Sequence, residues 1–167
     1  VDIYAEVIEY GTKAGADVIL IETMQDSYEL KAAVLAAKEH SDLPVCATVV
    51  FDEKGKMLTG GTPESVVALL EGLHIDALGI NCSLGPRQIK PFVERMIQVS
   101  STPIIVTPNA GLPQTDDEGH TYYDMSADDF ALEMKEIASL NVHVLGGCCG
   151  TTPEYLSKTI ELVKDLP

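Results

Sequence analysis

Five short, almost continuously apolar runs set the limits on what this chain can become. They cover residues 17–22 (DVILIE), 44–50 (PVCATVV), 76–81 (DALGIN), 103–109 (PIIVTPN) and 142–147 (VHVLGG), and their starts lie 27 to 39 residues apart. A strand with one wet face alternates apolar and polar residues, whereas a strand covered on both faces reads as a solid apolar run. These runs are of the second kind. Each gap between them is long enough for a helix, which is what a parallel strand pair needs as its crossover.

The gaps carry helix signals. Asp26 with Glu29 makes an N-terminal capping pair, and Leu30, Ala33, Val34 and Ala37 follow at helical spacing. Thr62-Pro63-Glu64 and Thr152-Pro153-Glu154 each offer a cap, a first-turn proline and an acid at the positive helix end. Ile89, Phe92, Val93, Met96 and Ile97 form one stripe, with Pro91 expected to kink that helix or delay its start. Ser126 caps a helix carrying Phe130, Met134 and Ile137. An opening helix over about residues 2–14 shows Ile3, Val7 and Ala14 on one face and stops at Gly15.

The order is a helix and then five strand–helix units, which is α/β with a parallel sheet. A doubly wound sheet and part of a (β/α)8 barrel both fit. Five units in 167 residues fall short of a whole barrel, which takes about 250 residues. A barrel cut in mid-sequence would also open on a helix with no strand before it. Residues 1–167 are expected to form one domain.

Charge narrows the partners. The net charge is −15, from 26 acidic and 11 basic residues, and no basic stripe is present, so nucleic acid is not an expected partner. No apolar run reaches about 18 residues and no signal-peptide pattern is present, so no membrane partner is expected and a cytoplasmic, reducing setting is. Thiols in such a setting are more often metal-binding or catalytic than paired.

In either architecture ligands bind beyond the C-terminal ends of the strands. There the runs end in Glu22-Thr23, Asn81-Cys82-Ser83, Pro108-Asn109-Ala110-Gly111 and Gly147-Cys148-Cys149-Gly150. Cys82, Cys148 and Cys149 therefore share one face, with Cys46 inside its run and read as core. Spacing alone leaves a core pair, a strained redox pair and a metal site open for Cys148-Cys149. Two adjacent thiols can ligate one ion only if the backbone leaves the pleat, and the glycines at 146, 147 and 150 permit unusual dihedrals. A third sulfur from Cys82 would leave a fourth zinc position open, the pattern of catalytic zinc. The same glycine-rich loop before a helix also fits a phosphate-binding α/β enzyme loosely. The acids of TDDEGHTYY (115–123) read as a solvated loop, and the four histidines as structural or solvated.

Together, GINCSLGP (79–86), PNAGLP (108–113) and GGCCGTTPEY (146–155) resemble the homocysteine S-methyltransferase family, and IETM (21–24) and FDEKGKMLTG (51–60) add to it. Within that family the likeness is strongest to the homocysteine-binding module of cobalamin-dependent methionine synthases. The resemblance implies a (β/α)8 TIM barrel, present here as its last five strand–helix units. It implies zinc on Cys82, Cys148 and Cys149, and homocysteine beside Glu22, Thr23, Asn81 and Asn109. It implies methyl transfer to a zinc-activated homocysteine thiolate, giving methionine, with methylcobalamin and methyltetrahydrofolate supplied by other modules. The family's first barrel strands are missing from this stretch. The expectation is therefore a piece of a longer chain, a partner that supplies the missing part, or self-association through the exposed sheet edge. A non-catalytic zinc-binding fragment is the alternative.

Overall fold

A computed structural model of the chain describes residues 1–166. Its first half runs α1 (Asp2–Lys13), β1 (Ile19–Met24), α2 (Ser27–His40), β2 (Val45–Val49), α3 (Pro63–Gly72) and β3 (Ala77–Asn81). The rest runs α4 (Pro86–Val99), β4 (Ile104–Thr107), β5 (Pro113–Thr115), β6 (Thr121–Tyr123), α5 (Ala127–Ala138), β7 (Val144–Leu145) and α6 (Pro153–Val163).

Among the described residues, β1-β2-β3-β4-β7 form one five-stranded sheet in that order, and every neighbouring pair is parallel. Chain order and strand order run together without reversal. A doubly wound sheet reverses at a switch point, so this winding is that of a barrel wall and not of a doubly wound sheet. The sheet stays open, making the fold a partial α/β barrel.

Parallel partners share a face, and the two faces differ. Ala47, Leu78 and Ile104 align across the sheet, as do Val49, Ile80 and Val106, and all six are buried. They meet Leu30 and Val34 of α2, Val66 and Leu70 of α3, Ile89 and Met96 of α4, and Phe130 and Met134 of α5 in one core. The opposite, inner face carries Leu20, Cys46 and Ala77 in one row and Thr48, Gly79, Ile105 and Val144 in another. Its centre is closed but its ends are wet: Leu20 is 52% exposed and Val144 45%. Cys46, expected in the core, lies on this face and is only partly buried, because its β1 neighbour is uncovered. Gly79 is obligatory there, since a Cβ would stand 1.8 Å from the Ile105 carbonyl oxygen.

The helix starts follow the sequence signals in most cases. Asp26 accepts from the Tyr28 and Glu29 amides, Thr62 forms a capping box with Ser65, and Ser126 accepts from the Asp129 amide. Thr152 caps α6 by position alone, with no side-chain bond. Pro91 does not delay α4, which starts five residues earlier at Pro86 and runs through it. The opening helix is turned differently from its expected stripe. It packs Ala5 and Ile8 against α2, while Ile3 is 82% exposed and Val7 66%. The apolar stripe thus lies outside the core. Residues 113–123 also hold a structure that their acids conceal: β5 and β6 pair antiparallel around the left-handed Gly119.

Candidate metal centre and substrate site

The C-terminal rim of the sheet is shaped by departures from regular strand geometry. At the end of β3 the backbone turns left-handed twice, with φ of 57° at Cys82 and 59° at Ser83. Consecutive left-handed residues other than glycine are rare and need support. Here the Cys82 amide donates to the Thr107 carbonyl, the Leu84 amide to the Cys82 carbonyl, and the Asn109 amide to the Leu84 carbonyl. The turn swings Cys82 off the line of its strand and toward β7.

The loop after β7 is tied to the end of β4. The Cys148 amide donates to the Pro108 carbonyl, and the Ala110 amide donates to the Cys149 carbonyl. Asn109, 3% exposed, completes the brace: its Oδ1 accepts the Cys149 amide at 3.0 Å. Thr151 closes the turn through its hydroxyl on the Cys148 carbonyl. Only Gly150 of the expected three glycines is left-handed, with φ of 79°. Gly146 and Gly147 serve instead as room, because a Cβ would meet Thr107 at 2.8 Å and Thr151 at 2.6 Å respectively.

These ties bring the three sulfurs together. Cys82 Sγ lies 3.6 Å from Cys149 Sγ, and Cys148 Sγ lies 3.9 Å from Cys149 Sγ. All three fall within 4.8 Å of one another. Sulfurs at about 2.3 Å from one tetrahedral ion lie about 3.8 Å apart, so the spacing and the all-thiol donor set fit zinc. The sulfurs are partly open to solvent, so the remaining corner of such a tetrahedron is reachable. Burial, then the neighbouring Cys82 and Cys149, pushes the Cys148 thiol up to about 12 in the metal-free state.

One residue of this site escaped the sequence reading. Tyr123, at the end of β6, lays its ring against Gly150, where a Cβ would stand 2.5 Å from the ring. Burial first, and then Cys149, raises its phenol above the ordinary value. The hairpin therefore flanks the cysteine loop. Tyr155 of α6 fastens the far side by donating to the Met125 carbonyl at 2.6 Å. The usable signal was Thr121-Tyr122-Tyr123 after a glycine, three strand formers behind a turn residue.

The end of β1 completes the rim. Between Ile21 and Met24 the register slips, since Ile21 faces Ala47 but Met24 faces Val49. That is one extra residue on β1, a bulge, and it falls on Glu22 and Thr23, both exposed. Thr23 has φ of 64°, a strained value for a β-branched residue. Asn81, fully buried, holds it from two strands away. Asn81 Oδ1 accepts the Thr23 amide at 3.0 Å, and Asn81 Nδ2 donates to Thr23 Oγ1 at 2.6 Å. Two such bonds at about 1 kcal/mol each match a backbone strain of about 1–3 kcal/mol.

The fold and rim define a thiol-lined centre on a β/α-barrel wall, and the chain belongs to the homocysteine S-methyltransferase family, which it matches over residues 1–163. Among its relatives is the methionine synthase of Mycobacterium tuberculosis (strain ATCC 25618 / H37Rv), 33% identical over 171 residues. That alignment covers 99% of this chain but 14% of the relative's length. Among solved structures, the apo homocysteine methyltransferase MmuM from Escherichia coli superposes with a TM-score of 0.73 at 20% identity, covering 95% of this chain and 57% of that one. The metallated form of the same enzyme gives 0.71 at 21% identity, covering 93% and 51%. At these identities the superpositions speak for the shared fold.

Proposed function

We propose that the chain, residues 1–167, is one partial barrel domain that binds zinc and homocysteine within a methyltransferase. The reaction is methyl transfer to the homocysteine thiol, giving methionine. The observation that carries this reading is the three-sulfur cluster, whose edges suit one tetrahedral ion.

Cys82, Cys148 and Cys149 would hold the zinc and leave one corner for the substrate sulfur. Zinc bound there supplies the Lewis acidity that makes a thiolate at neutral pH. The three cysteinates bring three negative charges to the site, and that excess keeps an incoming sulfur electron-rich. Glu22, exposed on the β1 bulge, offers its carboxylate to the substrate ammonium, with Thr23 beside it. Asn109 orients Cys149 through the Cys149 amide and would lie beside the substrate and metal.

The donor we assign is methylcobalamin, recharged from methyltetrahydrofolate on other modules of a longer chain. The small share of the mycobacterial methionine synthase that the chain spans is in keeping with this. No described helix is long and apolar enough to cross a membrane.

Metal analysis of reduced protein, followed by homocysteine methylation with free methylcobalamin, tests the reading. About one zinc per chain and measurable methionine are expected. Reduced, metal-supplemented protein without zinc refutes the centre. Zinc without homocysteine binding confines the chain to the role of a non-catalytic zinc-binding fragment.

A further inference from the structure

The bulge on β1 and the turn after β3 are two separate distortions, and one side chain joins them. Asn81 is the last residue of β3, and Cys82 follows it directly. Its amide oxygen and nitrogen both reach Thr23, next to Glu22, across the end of β2. Asn81 is 0% exposed, so a ligand on the rim has no path to it.

We propose that Asn81 is a positioning residue that touches no substrate: it clamps Thr23 in the left-handed conformation and so sets where the Glu22 carboxylate stands relative to the Cys82 sulfur. This rests on the homocysteine reading of the site. The substrate would span the two ends, with its sulfur at the cysteines and its ammonium at Glu22. The span between those anchors must fit one small amino acid. A bulge re-aims the side chain at its crest, and a slip of one residue sends a strand side chain to the other face. Without the clamp, Thr23 relaxes to ordinary strand dihedrals and Glu22 turns away. The two hydrogen bonds make the coupling direct, with no intervening residue.

The test is a thermodynamic cycle over Asn81→Ala, Thr23→Gly and the double variant in the zinc-loaded chain. Homocysteine affinity by calorimetry is one readout, and the amide-to-Hα coupling constant of residue 23 by NMR is the other. In Asn81→Ala the coupling constant leaves the left-handed range and homocysteine binds about tenfold more weakly, while zinc content stays at the wild-type level. Glycine takes positive φ without strain, so it needs no clamp. In the Thr23→Gly background, Asn81→Ala therefore costs less than about twofold. A Thr23 that stays left-handed in Asn81→Ala overturns the clamp. An equal tenfold loss in both backgrounds overturns positioning and makes Asn81 a substrate contact. Should Asn81→Ala not fold, Asn81→Ser gives the same cycle, since its hydroxyl is too short to hold both Thr23 atoms. If the zinc-loaded wild type binds no homocysteine, the methyltransferase reading falls, and the coupling constant still decides the clamp.

Discussion

Gly150→Ala tests the packing around the sulfurs most directly. Gly150 has φ of 79°, and a Cβ there would stand 2.5 Å from Cγ and Cδ2 of Tyr123 and 2.8 Å from its Cβ. Left-handed backbone costs alanine about 1–2 kcal/mol. Forcing a carbon into an occupied contact costs about 1–3 kcal/mol more. The rigid-site total is about 2–5 kcal/mol. The ring belongs to a two-stranded hairpin, and such a pair is marginal alone, so the hairpin moves before the sheet does. The expected loss is therefore in the lower half, about 2–3 kcal/mol, with Tyr123 lifted from the cysteine loop. Urea denaturation at constant slope reads the stability, and chelator competition reads the zinc affinity. In a Tyr123→Gly background both the ring and its Cβ are gone, so Gly150→Ala costs only its backbone part, about 1–2 kcal/mol. An unchanged midpoint in Gly150→Ala, or an equal cost in both backgrounds, refutes the reasoning.

Cys148→Ser removes one of three sulfurs, and zinc retained per chain should fall well below one on dialysis against a mild chelator, as measured by elemental analysis. The Cys148 thiol rises from an ordinary 9.0 to about 12 in the metal-free fold. The folded state thus keeps a proton that the unfolded chain sheds, so metal-free stability is full below about pH 9 and declines as pH climbs toward 12. Denaturation midpoints of reduced apoprotein across that window check the sign, and Cys148→Ser should flatten the decline. Asp26→Ala strips two amide bonds from the start of α2, and thermal unfolding should show about 1 kcal/mol lost with zinc binding intact. Gly79→Ala drives a Cβ to 1.8 Å from a backbone oxygen of β4, and expression trials should yield no soluble folded protein.

Much of the wall could be read from pattern. Strand positions 45–49 and 77–81 fall inside runs that are apolar on both faces, and their helices begin at readable caps. The Leu30–Ala37 and Ile89–Met96 stripes point into the core because period 3.6 leaves them no other buried direction. The α1 stripe could not be read this way. Ile3 and Val7 have the right spacing, but which face of a terminal helix is covered depends on which neighbours are present. The hairpin at 113–123 was hidden for a related reason, because short exposed strands leave little apolar signal. The site was legible as a set of residues at strand ends, and Tyr123 was the one it lacked.

By itself the sequence determined a parallel α/β chain with three thiols at the same end of its strands. Burial periodicity and the strand–helix alternation are local properties, so they survive in a one-dimensional reading. The unreversed strand order, the sulfur spacings of 3.6 and 3.9 Å, and the hold of Asn81 on Thr23 were decided by tertiary structure alone. Each depends on contacts between residues distant in the chain, up to 67 positions apart for Cys82 and Cys149, and no local pattern records the left-handed turns at Thr23 and Cys82.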